Sequence, residues 1–230
     1  MTGIFWLEQR LCDLPPGSEW LAPAEAARLG DMRFERRRDD FRLGRWVAKQ
    51  ALVAYLGLPG GSAALARIEI RAAPDGVPEP FIDGRPAGVS LSLSHRAGVG
   101  FCSVAPYGAQ LGCDVEVVEP RASTFVEDYF TPEEQELVCR AEAAARDRLV
   151  TLLWSAKESV LKALGAGLRR VATSVRVHPA GSEIGGPPAW QRLCAHTPDG
   201  GIFHGWYREA GGLLRTIAVA VPAGRCLFQA

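Results

Sequence analysis

Between Leu153 and Leu164 the apolar residues Leu153, Val160, Leu161 and Leu164 recur at the three- and four-residue spacing of a buried helical stripe. The same stretch interrupts that pattern with charge. Trp154, Glu158 and Lys162 fall at i, i+4 and i+8, so they stack along one side of a helix, roughly 6 Å apart per step. Gly165 and Gly167 supply the stop. By itself this is an amphipathic helix, and a Glu158–Lys162 pair at that spacing adds only about 0.2–0.5 kcal/mol.

The remaining pattern predicts an ordered series of strands and helices. Gly3–Leu7 reads as a strand, broken by Pro15, Pro16 and Gly17. Ala22–Leu29 is a short helix, and an arginine-rich stretch then leads into a longer helix over Phe41–Leu56 that ends at Gly57, Pro59, Gly60 and Gly61. Arg67–Ala73 alternates as a half-buried strand, and the Pro/Gly-dense Pro74–Pro86 is loop with at most a short edge pairing. Val89–His95 and Val99–Ala105 are β-rich runs joined through Arg96-Ala97-Gly98, a hairpin signal.

After Pro106–Gln110 the order repeats. Leu111–Val118 is a strand, and Ser123–Tyr129, Pro132–Ala145 and Asp147–Leu164 are helices. Thr131 suits an N-cap, Pro132 the first helical position, and Glu134 the reciprocal position of a capping box. Ser174–His178, Ile202–Glu209 and Leu213–Val221 follow as strands, with Pro187 and Pro188 in a loop and Ala210-Gly211-Gly212 as a turn. Each half therefore reads strand, helices, three strands. The repeat lies in the order of elements, with no residue-by-residue match evident. The expected fold is α+β: two similar halves, residues 1–108 and 109–230, in a pseudo-twofold arrangement with the active site in the cleft between them.

Composition narrows the classes. The 230 residues are 47% hydrophobic and 23% charged with zero formal net charge, which gives no global electrostatic case for nucleic acid or an anionic membrane. No apolar run approaches a membrane span of ~20 residues, and MTGIFWLEQR lacks a signal-peptide pattern, so a cytoplasmic location is expected. The six cysteines show neither CxxC nor a zinc spacing and read as reduced thiols.

Several polar residues sit where an element has no structural need of them. Asp114 and Glu116 stand at i and i+2 in LGCDVEVV, on one strand face, while Cys113, Val115 and Val117 take the other. That is either a solvent-facing strand edge or a site for a hard cation such as Mg²⁺, which takes oxygen ligands. In VSLSLSH the serines alternate with Leu91 and Leu93, and His95 closes the strand beside Arg96. Six arginines crowd between Arg33 and Arg45; Arg42 and Arg45 flank Gly44, where a ligand could approach, and arginine forks match phosphate oxygens. The inventory suits a Mg²⁺-bound, multi-phosphate ligand. GxSxG, HExxH, GxxxxGK[ST] and GxGxxG are all absent, so the nucleophile is expected to come from another molecule.

Three ordered motifs carry a resemblance: Ser92-Leu93-Ser94-His95, Gly112-Cys113-Asp114-Val115-Glu116, and Trp154-Ser155-Ala156-Lys157-Glu158 with Lys162, Gly165 and Gly167. The chain resembles the 4′-phosphopantetheinyl transferases of the Sfp type, with two halves in one chain. The resemblance implies transfer of the phosphopantetheine arm of coenzyme A to a serine of an apo acyl or peptidyl carrier protein, with release of 3′,5′-ADP. It implies Mg²⁺, with Mn²⁺ as a substitute, held by Asp114, Glu116 and Glu158. Glu158 would be the base and Lys162 would steady the pyrophosphate. Ser94 and His95 would contact the 3′-phosphate side, and Arg42, Arg45, Arg85 and Lys157 would complete the coenzyme A contacts. The chain is expected to act as a monomer, without nucleic acid or membrane partners. One departure stands out: the family's upstream Gly-Lys-Pro appears here as Gly76-Val77-Pro78, without the cation, and Gly84-Arg85-Pro86 carries one nearer His95.

Two other readings compete. A Mg²⁺-dependent nuclease would place lysine two residues after an acidic residue on a strand, whereas here Lys157-Glu158 and Lys162 share a helix. A non-catalytic module binding coenzyme A or a carrier protein would keep the arginines and His95 without needing all three carboxylates.

Overall fold

The computed structural model describes residues 3–165, 171–179 and 190–220. Gly167, Pro187, Pro188, Val221 and Cys226 lie outside the described residues. The chain divides into two compact units, one running to Ala109 and the other beginning at Gln110, and each is α+β with antiparallel sheets.

The first unit runs β1 (Phe5–Arg10), α1 (Pro23–Gly30), α2 (Glu35–Leu56), α3 (Ser62–Leu65), β2 (Ile68–Ala72), β3 (Pro78–Ile82), β4 (Arg85–Pro86), β5 (Val89–Arg96) and β6 (Val99–Pro106). Its sheets have the orders β1-β6-β5 and β2-β3-β4. The second unit runs β7 (Gln110–Val117), α4 (Ser123–Tyr129), α5 (Pro132–Arg140), α6 (Ala143–Ala163), β8 (Arg176–Pro179), β9 (Gln191–His196), β10 (Ile202–Ala210) and β11 (Leu213–Ala220). Here one sheet of order β7-β11-β10-β9-β8 carries α6 across β7 and β11.

Several boundaries differ from the sequence reading. α2 begins at Glu35, six residues early, because the arginine-rich stretch is itself helical; arginine is a good helix former whether or not it packs. Pro74–Pro86 contains a hairpin, β3–β4, rather than only loop. β3 also pairs with β2 along Pro78–Ile82, and Pro80 still serves the sheet through its carbonyl, which accepts from the Ala87 N–H at 2.9 Å. β9 escapes the pattern because only Leu193 and Ala195 of its six residues are buried. Arg96 pairs with Val99 across Ala97 (φ 51°) and Gly98 (φ 72°), two left-handed residues that turn a tight hairpin as its sequence suggests.

A residue-level repeat absent from the element reading emerges in the two long helices. α2 carries Trp46-Val47-Ala48-Lys49 and α6 carries Trp154-Ser155-Ala156-Lys157. Lys49 is fully buried, 2.6 Å from Glu25, and donates to the carbonyls of Trp20 (3.0 Å) and Leu65 (3.1 Å). Lys157 is equally buried, 2.8 Å from Glu134, and donates to the carbonyls of Ala172 (3.0 Å) and Val175. Each glutamate accepts the N–H before its own helix and one from a strand: Glu25 from Ala22 and Ile70, Glu134 from Thr131 and Val177. Trp46 meets Trp20 edge-on at 5.2 Å, as Trp154 meets Tyr129 at 5.1 Å. A buried ion pair is tolerable only when its remaining donors and acceptors are satisfied, and both braces meet that condition.

Candidate active site

From Thr151 to Ala163 every residue of α6 is buried except Trp154, Glu158 and Lys162. The i, i+4, i+8 stripe is thus the open edge of an otherwise enclosed helix. α6 lies against β7 through Gly112: a Cβ there would stand 1.8 Å from the Ser159 carbonyl oxygen and 2.7 Å from the Ala163 nitrogen. The missing side chain lets helix backbone approach strand backbone. It also brings Asp114 and Glu116, two and four positions further along the same strand face, up to the α6 side chains.

Asp114 is 5% exposed and held at both oxygens: Lys162 Nζ donates to Oδ1 at 2.7 Å and Ser155 Oγ to Oδ2 at 2.8 Å. Lys162 also donates to the Cys113 carbonyl at 3.1 Å. Burial works against the Lys162 charge, but Asp114, the Cys113 side chain and Glu158 outweigh it, so its pKa is raised and it stays an ammonium. Glu116 accepts from Trp154 Nε1 and Arg121 Nη2, each at 3.3 Å. Arg121 in turn lies over the Phe125 ring at 4.7 Å, and Trp154 packs edge-on against Phe125 and Tyr129.

Glu158 experiences both neighbours. Its carboxyl pKa is raised, first by burial and then by Asp114, with a further push from Glu116 and an opposing pull from Lys162. The three carboxylates therefore share one electrostatic neighbourhood, and one of them holds its proton more readily for it. Among the described residues no three Asp, Glu, His or Cys side chains form a ready-made metal cage. The donor set still fits a hard cation. It is all oxygen, it is mutually repulsive at Glu158, and Mg²⁺ commonly takes one or two carboxylates with waters and substrate phosphates.

The other expected site residues lie in the first unit, except Lys157. Arg42 clamps the Pro15 and Gly17 carbonyls at 2.9 Å, which commits one end of its guanidinium to the fold. Arg45 lies over the Phe41 ring at 4.5 Å and 3.4 Å from Glu25. Arg85 is exposed on β4. Ser94 is buried and His95 exposed at the end of β5, with Nδ1 3.6 Å from Asp40. Lys157 departs from expectation. Fully buried and spent on Glu134 and two carbonyls, it belongs to the fold rather than to the coenzyme A contacts.

Three further residues touch the site and were given no role by the sequence. Thr216 lies opposite Asp114 in the β7–β11 register, 102 positions away in the chain. Ser155 was visible only as part of a motif, and Arg121 follows the strand that carries Glu116.

Comparison with known proteins gives the same direction. Residues 110–187 match the model of the 4′-phosphopantetheinyl transferase superfamily. The chain is 27% identical over 192 residues to the 4′-phosphopantetheinyl transferase HetI of Nostoc sp., covering 81% of this chain and 76% of that protein. It is 26% identical over 168 residues to a putative 4′-phosphopantetheinyl transferase of Synechocystis sp., covering 71% of this chain and 65% of the relative. Among solved structures it is similar to a holo-(acyl-carrier-protein) synthase from Bacillus anthracis in complex with CoA (3′,5′-ADP), at 22% identity and TM-score 0.37, over 45% of this chain and 93% of that one. It is also similar to the Thermotoga maritima holo-[acyl-carrier-protein] synthase, at 20% identity and TM-score 0.36, over 56% and 74%. The segment that matches the 4′-phosphopantetheinyl transferase superfamily model spans β7, α6 and the three carboxylates between them.

Proposed function

We propose that this protein transfers the 4′-phosphopantetheine moiety of coenzyme A to a serine of an apo acyl or peptidyl carrier protein, releasing 3′,5′-ADP. The observation that carries this reading is the meeting of Asp114, Glu116, Glu158 and Lys162 where α6 crosses β7. Asp114, Glu116 and Glu158 would hold Mg²⁺, which supplies positive charge to the pyrophosphate when bound. Lys162, a secure ammonium, lies beside Asp114 and can steady charge on the departing phosphate. Glu158 has a raised pKa that suits a proton acceptor for the serine hydroxyl. In the step itself the serine oxygen forms a bond to the pantetheine-side phosphorus. The bond from that phosphorus to the 3′,5′-ADP oxygen breaks, and the serine proton passes to Glu158.

His95 at the end of β5, with Ser94 behind it, is proposed for the 3′-phosphate of the nucleotide. Arg45 and Arg85 remain candidates for its charge, while Arg42 has at most its outer face to offer. The chain is proposed to act as a monomer in the cytoplasm.

The test is incubation with CoA, Mg²⁺ and apo carrier proteins from fatty-acid, polyketide and nonribosomal-peptide systems, followed by mass spectrometry of the carrier. A gain of one phosphopantetheine, abolished by Asp114→Ala and by Glu116→Ala, is expected. Carriers that all stay apo with the wild-type enzyme would overturn the reading.

A further inference from the structure

Behind Asp114 lies a chain of three hydroxyls that the proposed reaction does not use. Ser155, Ser159 and Thr216 are each fully buried. Ser155 Oγ is 2.8 Å from Asp114 Oδ2 and 2.9 Å from Thr216 Oγ1, and Ser159 Oγ is 2.7 Å from Thr216 Oγ1. Thr216 Oγ1 also lies 2.9 Å from the Ser155 carbonyl oxygen. Thr216 stands directly across the strand pair from Asp114, so helix and sheet hold the two ends of the chain in fixed register.

Proton bookkeeping fixes the end of the chain at Asp114. An ionised carboxylate accepts only, so the Ser155 proton goes to Asp114. The Thr216 proton then has acceptors on Ser155, its hydroxyl or its carbonyl. The shortest remaining contact leaves Ser159 donating to Thr216. Ser159 also reaches the Thr216 carbonyl at 3.3 Å, so the hydroxyls form one buried network whose contact with the site is the bond from Ser155 to Asp114. With no exposed member, a deleted hydroxyl has no route to replacement by bulk water.

The geometry points to Ser155 and Thr216 as positioning residues that fix the carboxylate of Asp114 in the orientation from which it serves the metal. This rests on the proposed role of Asp114 as a metal ligand. With Oδ2 tied back to the helix and Oδ1 to Lys162, the carboxylate cannot rotate, and its remaining lone pairs are aimed before any ligand arrives. Partners of this kind behind a metal ligand typically contribute about 10–100-fold in metal affinity.

The experiment compares Ser155→Ala, Thr216→Val and Thr216→Ser with Asp114→Asn. Three quantities are read: Mn²⁺ binding to the free enzyme by electron paramagnetic resonance, the half-saturating Mg²⁺ concentration, and KM for CoA at saturating Mg²⁺. Ser155→Ala and Thr216→Val should each weaken Mn²⁺ binding and raise half-saturating Mg²⁺ by about tenfold or more. KM for CoA should stay within about twofold, and Thr216→Ser, which keeps the hydroxyl, should bind Mn²⁺ as the wild type does. If the first two variants bind Mn²⁺ normally, or only lose urea resistance, the positioning role is overturned. It is equally overturned if Thr216→Ser loses as much as Thr216→Val, because the methyl would then be what matters. Should Ser155→Ala fail to fold, the Thr216 pair decides alone. If Asp114→Asn itself leaves Mn²⁺ binding unchanged, the metal role of Asp114 falls and this inference falls with it. If Asp114→Asn weakens binding while the hydroxyl variants do not, only the positioning role is lost.

Discussion

Lys162 reaches from the open edge of α6 to place its ammonium 2.7 Å from Oδ1 of Asp114 on β7. The contact joins helix to strand, so it ties Glu158 and Lys162 of one element to Asp114 and Glu116 of the other. Its raised pKa means that the charge contributes stability fully below the ordinary lysine range of about 10.4, and that this is lost only as pH rises through the higher folded value.

Lys162→Met is therefore expected to act at neutral pH in two ways. Turnover should fall, by about 100-fold if the ammonium meets charge that develops on the leaving phosphate. Stability should fall by about 1–3 kcal/mol because a buried carboxylate loses a donor. Urea unfolding and steady-state kinetics measure the two separately; an unchanged kcat would remove Lys162 from the reaction.

Glu158→Gln should separate activity from stability in opposite directions. A carboxyl with a raised folded pKa binds its proton more tightly when folded, so stability declines as pH rises from the ordinary glutamate range, about 4.3, through the folded value. The amide removes that penalty. Without added metal, the variant should melt above the wild type at about pH 8, with the difference vanishing towards about pH 4. Its kcat should fall by at least about 100-fold. A variant that melts lower than the wild type at alkaline pH would contradict the shared neighbourhood of the three carboxylates.

Lys157→Met should reveal a brace rather than a coenzyme A contact. Removing one partner of a fully buried, hydrogen-bonded pair costs about 3–5 kcal/mol, read as a lower urea midpoint. Adding Glu134→Gln removes the stranded charge and should recover part of the loss. KM for CoA of the folded fraction should remain near wild type; a large rise in KM with normal stability would return Lys157 to the substrate.

Gly112→Ala tests the close approach of α6. The added methyl would meet helix backbone at 1.8 Å, and backbone cannot swing aside as a side chain would. Overpacking of this kind costs about 1–3 kcal/mol or more. Thermal unfolding should show a large destabilisation, with Lys162 and Asp114 drawn apart and activity lost alongside. Wild-type melting would mean that α6 and β7 can separate freely.

Much of the fold was legible because it is written locally. Thr131 and Glu134 form the capping box that their spacing implies, with Thr131 N donating to Glu134 at 2.8 Å. The hairpin at Ala97-Gly98 follows from Gly98, which takes positive φ freely and draws Ala97 into the same region, and the stripe of Trp154, Glu158 and Lys162 from helical period alone. β9 was not legible, since two buried residues in six make no period. The Trp-x-Ala-Lys repeat was too short to notice until both lysines were found buried on equivalent glutamates.

The sequence alone determined which residue types the site would have and which helix face would carry them. It could not separate the two lysines of that helix. Lys157 and Lys162 are five residues apart, hence roughly 140° apart around the axis, and equally plausible as phosphate ligands by composition. The tertiary structure separates them. One side of α6 turns Lys157 into the core onto Glu134, and another leaves Lys162 at the open edge beside Asp114. It likewise brings Thr216 to Asp114 across 102 residues of chain. Helical period is a property of neighbouring residues, but which face is covered depends on the strand that Gly112 allows against it, and only packing decides that.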